Sequence, residues 1–66
     1  MKLFADDLFM FRSKKKLSRA KAAHQIDVHP STIQSLEEYS SDPRIITYYK
    51  VCKWMGKSME FYFINN

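Results

Sequence analysis

Glycine occurs once in the 66 residues, proline twice and cysteine once. With so little glycine and proline, few positions force the backbone out of a helix, and Lys, Ala, Leu and Met all favour one. No stretch alternates cleanly between apolar and polar residues, so no strand is expected. A lone cysteine, Cys52, makes no intramolecular disulfide, which fits a reduced, cytoplasmic setting. No apolar run approaches the roughly 18 residues of a membrane span, and no membrane partner is expected. The opening stretch MKLFADDLFMF has one early lysine and then two adjacent aspartates, a poor match to a secretory signal. His24, His29 and Cys52 are the soft metal ligands, and their spacing makes no zinc pattern. Asp6 and Asp7 are neighbours, so on a helix they point apart and share no substrate. The residues therefore predict no metal, no cofactor and no enzyme.

Cations are what the chain has in excess. Eleven Lys and Arg face seven Asp and Glu, for a net charge of +4. That balance favours a polyanionic partner, nucleic acid first and an anionic membrane surface second. The length fits one domain, 1–66. A domain so small buries only about 60% of the surface its unfolded chain exposes. Its core supplies roughly 3–5 kcal/mol, which leaves room for help from a partner chain.

The spacing of apolar residues predicts five short helices in an all-α bundle. In the first, about 5–15, Phe4, Leu8 and Phe11 form one stripe. Asp6 and Asp7 fall in its expected first turn and Lys14, Lys15 and Lys16 at its end, where each suits the helix dipole. The second, 18–25, has Ser18 as N-cap and Ala22, Ala23 and Ile26 as its apolar face. The third lies within HPSTIQSLEE (29–38), with Pro30 at the first helical position and Ile33 and Leu36 facing inward. The fourth follows SSDPR and carries Ile45, Tyr48, Tyr49, Cys52 and Met55 at helical spacing. Gly56 sits where a left-handed stop belongs. Ser58 caps a short fifth helix with Met59, Phe61, Tyr62 and Phe63. A short Ala-rich helix, a tight IDVHP turn and a polar-faced helix outline a helix-turn-helix over about 18–37.

LSRAKAAHQIDVHPSTIQSLEE followed by DPRIITYYKVCKWMGKSMEFYF resembles the lambda-repressor-like (Cro/C1, XRE-type) helix-turn-helix domain. The matching residues are Leu17-Ser18, Ala23, Val28, Ser31-Thr32-Ile33, Glu37, Asp42-Pro43 and Met55-Gly56, without a gap from Arg12 to Phe63. The resemblance implies five helices, with the second and third as the DNA-reading unit. It implies an ion pair between Arg12 and Glu37. It implies that His29, Pro30, Ser31, Gln34 and Ser35 enter the major groove. It implies that Arg19, at the start of the second helix, meets phosphate. The chain departs from the family pattern at Asp27, which replaces the turn glycine, at Ala22, which replaces a leucine, and at Tyr39, which replaces the glycine after the third helix. Glu38 is a carboxylate where phosphate would run, which argues against that loop as a DNA contact.

The third helix carries no Lys or Arg, so base reading and affinity are expected from different residues. Gln34 suits adenine, Ser31 and Ser35 suit several bases, and Pro30 offers only apolar contact. Phosphate binding falls to Arg19, Lys21 and the run Lys14, Lys15 and Lys16. Ser18 and the free N–H groups starting the second and third helices add neutral donors. Modest affinity per half-site predicts a homodimer on a palindromic operator, with Trp54, Met59, Tyr62 and Phe63 as candidate dimer surface. The partner expected is double-stranded DNA. The function expected is repression by promoter occlusion, on the scale of a phage, mobile-element or antitoxin-type regulator. The alternative is a protein-interaction module on the same scaffold, which Glu37, Glu38 and Tyr39 would suit better than DNA.

Overall fold

The computed structural model describes residues 2–65, and every regular element in it is a helix. In chain order these are α1 (Lys2–Lys14), α2 (Arg19–Ile26), α3 (Pro30–Glu37), α4 (Ile45–Met55) and α5 (Met59–Asn65). The all-α, five-helix architecture is the one the apolar spacing predicts. α1 begins before the predicted start, so its first turn holds no acidic residue and the dipole role expected of Asp6 and Asp7 does not apply. The two carboxylates accept hydrogen bonds instead, Asp6 from the Tyr39 hydroxyl and Asp7 from the Tyr62 hydroxyl at 2.8 Å.

The buried faces follow the helical period. Phe4, Ala5 and Leu8 of α1, Ala22, Ala23 and Ile26 of α2, and Ile33 and Leu36 of α3 are buried. On α4 the buried stripe is Tyr48, Val51, Cys52 and Met55, at i, i+3, i+4 and i+7. The predicted stripe included Ile45 and Tyr49, which are 69% and 48% exposed. The core-facing sector is centred nearer Val51, so Tyr49 falls off its edge and Ile45 lies beyond its end.

Phe4, Tyr48 and Tyr62 meet edge to face, with centroids 5.2, 5.3 and 6.4 Å apart, where ring edges meet ring faces favourably. The Tyr48 hydroxyl donates to the Met59 carbonyl. Among the described residues no buried side-chain polar atom lacks a partner. Tyr62, expected on a dimer surface, is only 1% exposed. Its ring locks α5 onto α1 and α4, so it is a core residue.

Four helices end alike, although the chain has one glycine. Lys16, Asp27, Tyr39 and Gly56 have left-handed backbones, with φ of 56°, 71°, 58° and 73°. After each, the next amide reaches back to close the turn: Leu17 to the Arg12 carbonyl, Val28 to Ala23, Ser40 to Ser35 and Lys57 to Cys52, at 2.9–3.1 Å. This closure satisfies carbonyls that a helix end leaves orphaned. A residue with a Cβ adopts it at a penalty of about 1–2 kcal/mol. A side chain secures each of the three strained turns. Arg12 Nη1 donates to the Leu17 carbonyl, Lys50 Nζ to the Asp27 carbonyl, and the Tyr39 hydroxyl to Asp6. The closures at Asp27 and Gly56 are foreseeable from the sequence, whereas the one at Lys16 is not.

Candidate nucleic-acid interface

Ser18 begins α2 with an extended backbone, and its Oγ accepts the Lys21 amide at 3.1 Å. The Asp27 closure then turns the chain into α3. There His29 is the N-cap and Pro30 takes the first helical position, where a missing N–H leaves no gap. The Ser31 amide donates to His29 Nδ1 at 3.1 Å, and Ser31 Oγ lies 2.7 Å from the same nitrogen. The Thr32 amide donates to the His29 carbonyl. The expectation of free amides opening α3 is therefore corrected for its first three residues, because a proline, a side-chain cap and a main-chain bond leave none of them free. At α2 the amides of Arg19 and Ala20 have no partner among the described residues.

Ile33 and Leu36 turn α3 inward, which leaves His29, Pro30, Ser31 and Gln34 exposed and Ser35 half-buried. The Gln34 side chain hydrogen-bonds nothing among the described residues. A part-buried ion cluster fixes where this edge points. The Glu37 side chain, only 2% exposed, is held bidentately by Arg12, with Nε to Oε2 at 2.7 Å and Nη2 to Oε1 at 2.9 Å. Arg19 Nε reaches the same Oε1 at 3.0 Å, and its Nη1 lies 3.6 Å from Glu38. One carboxylate thus ties the end of α1 and the start of α2 to the end of α3. The hydrogen bond to Glu37 raises the Arg12 pKa against the opposing effect of burial.

The placement of Arg19 revises one inference. A cation at a helix start opposes the dipole, a mismatch that the phosphate implied by the family resemblance would relieve. Glu37 and Glu38 already offset it within the chain. The guanidinium is nevertheless 39% exposed beside α3. Lys21 is exposed in the first turn of α2. Lys14 and Lys16 are exposed, while Lys15 Nζ sits 6.0 Å over the Trp54 ring, against α4.

The sequence reading passed over Arg44. It is the N-cap residue of α4 and makes no side-chain cap bond. Together with Ser31, Thr32, Ser35 and Thr47 it lines an open polar groove of about 340 Å³ alongside α3. The signal available in the sequence is a cation placed at the positive end of a helix.

The remaining candidate dimer residues separate. Trp54 is half-buried, its Nε1 donating to Gln25 Oε1 at 3.1 Å, and Met59 packs on the core. Phe63 is 68% exposed and Ile64 72%. Among the described residues no group of three or more His, Cys, Asp or Glu is placed to hold a metal ion, and no helix is long and apolar enough to cross a membrane.

No curated protein matches the chain. A family model described as helix-turn-helix matches residues 8–62, a span that includes all of α2, α3 and α4. With the paired helices, their ion-clamped geometry and this match in place, the chain belongs to the Cro/C1-type, lambda-repressor-like helix-turn-helix family of DNA-binding regulators.

Proposed function

We propose that the chain is a sequence-specific repressor that binds double-stranded DNA as a two-fold dimer and occludes a promoter. One observation carries the reading: the outer edge of α3 is polar, exposed and held in place by the Arg12–Glu37–Arg19 cluster. Gln34 and Ser35, with His29, Pro30 and Ser31 at the helix start, face base edges. Arg19 and Lys21 on one side and Arg44 on the other face phosphate. Lys14 and Lys16 extend the cationic flank, and the two unpartnered amides of α2 add neutral donors. Phe63 and Ile64 are the apolar surface through which two copies pair, setting their recognition helices about one DNA turn apart.

Selection from a random duplex pool tests this. A palindromic motif is the expected product. Gln34→Ala relaxes preference at a base position, while Lys21→Ala and Arg44→Ala weaken all sequences alike. Binding that is absent at low salt, or a pool without any enriched motif, overturns the reading. Tight binding to a protein that is insensitive to salt would favour the interaction-module alternative.

A further inference from the structure

We propose that His29 and Ser31 form one readout unit of fixed hydrogen-bond polarity, in which His29 presents only a donor and Ser31 only an acceptor. The inference rests on the reading that α3 enters the major groove, and it specifies which bases that end of the helix selects.

The polarity follows from one nitrogen. The Ser31 amide donates to His29 Nδ1 at 3.1 Å, so Nδ1 carries no proton. A neutral imidazole then has its proton on Nε2. Nε2 has no partner among the described residues, and the ring is exposed. Ser31 Oγ stands 2.7 Å from the same unprotonated Nδ1, so the hydroxyl hydrogen points at the ring. The oxygen is left with lone pairs alone for any outside group. Pro30 has no N–H, and the Thr32 amide is taken by the His29 carbonyl. No backbone donor from the first three residues of α3 competes, and two side-chain atoms set the polarity of this edge.

A free serine hydroxyl rotates to suit its surroundings and discriminates little between bases. A committed one selects base amino groups, adenine N6 or cytosine N4, and disfavours thymine O4. The His29 Nε2–H selects acceptors, purine N7, guanine O6 or thymine O4, and disfavours the cytosine amino group. The cap of α3 therefore turns two adaptable side chains into directional readers, and the orientation of one depends on the other.

Repeating the duplex selection with variants tests this coupling. His29→Ala frees the Ser31 hydroxyl and is expected to relax two base positions, about five-fold each. His29→Asn keeps an acceptor for the Ser31 amide and hydroxyl but withdraws the ring donor, so one position relaxes and the other holds. Ser31→Ala relaxes only its own position, and adding it to His29→Ala changes nothing further there. Thermal melting of each variant separates loss of fold from loss of reading. If the wild-type chain enriches a motif but His29→Ala alters only one position, the coupling is wrong and the groove reading stands. If the wild-type chain enriches none, the groove reading fails and takes the coupling with it.

Discussion

Glu37 joins Arg12 and Arg19 through one carboxylate, and its removal has a definite direction. Glu37→Ala leaves the Arg12 guanidinium, 14% exposed, without its carboxylate. Breaking a buried pair from one side costs about 3 kcal/mol, comparable to the whole stability expected of so small a domain. Urea denaturation of the variant should show little or no folded baseline at 25 °C. Arg19→Ala removes a far more exposed partner of the same carboxylate and is expected to cost under about 1 kcal/mol. Equal losses for the two variants would show that Arg12 alone does not hold the cluster. Tyr62 gives a pH-dependent test. Burial, and then its bond to Asp7, pushes the Tyr62 phenol well above the ordinary tyrosine value of about 10. The folded chain therefore holds this proton more tightly than the unfolded chain does. Stability from this source is complete below about pH 10 and falls as pH rises beyond it, because the unfolded chain ionises first. Burial of Tyr48 and Cys52 acts in the same direction. Tyr62→Phe should lower the melting temperature at pH 8 yet lose less than the wild type between pH 8 and pH 11. A parallel decline in both proteins would remove Tyr62 as a cause.

Helices of this chain are held at their ends by a shared device, and the device is testable turn by turn. Lys16→Gly relieves a left-handed backbone, leaves the Arg12 bond to the Leu17 carbonyl in place, and should stabilise by about 1 kcal/mol. Asp27→Gly should gain a similar amount, because the lost Lys50 pair is to a carboxylate side chain 91% exposed. The Lys50 bond to the Asp27 carbonyl survives that change. Gly56→Ala runs the other way: its Cβ would meet nothing within 4 Å, so the loss of about 1 kcal/mol is backbone strain alone. Melting temperatures that fail to order as Lys16→Gly above wild type above Gly56→Ala would refute the strain account. These turns also mark what the sequence makes legible. Ser18, Pro30 and Gly56 are residues whose chemistry suits a helix end, and each is found at one. The inward faces of α2 and α3 follow from spacing alone, and so does the exposed edge of α3. Lys16 and Tyr39 are not suited to a left-handed turn, and contacts distant in sequence hold Tyr39 there through Asp6. Arg19 meets a carboxylate 18 residues away, and the Asp7 bond to Tyr62 spans 55 residues. Local pattern carries no record of such pairings, so it misassigned the two aspartates and Tyr62. The outward direction of His29 and Ser31 was legible, but the polarity of their hydrogen bonds depends on where the α3 backbone places one amide.

Across the whole molecule the cations divide between two faces, and this bears on how strongly salt should weaken DNA binding. Lys53 lies over Tyr49, Lys57 over Phe61 and Lys15 over Trp54, while Lys50 is engaged with Asp27. These four sit against α4, α5 and the turn before α3. Arg19, Lys21 and Arg44 flank α3. Net charge therefore overstates the cations available to phosphate in the proposed docking. Each phosphate neutralised contributes about −0.9 to the slope of log affinity against log salt, so these three contacts with Lys14 and Lys16 give roughly −4.5 per protomer and about twice that for a dimer. Anisotropy titrations on a selected operator between roughly 50 and 200 mM salt measure the slope. Lys21→Ala and Arg44→Ala should each make it shallower by about 1 per protomer. Lys53→Ala and Lys57→Ala should leave it unchanged, because their ammonium groups stay on the far side of the bound protein. If the Lys53 and Lys57 substitutions flatten the slope and those beside α3 do not, the polyanion lies against the opposite face, and the outward edge of α3 is not what meets it.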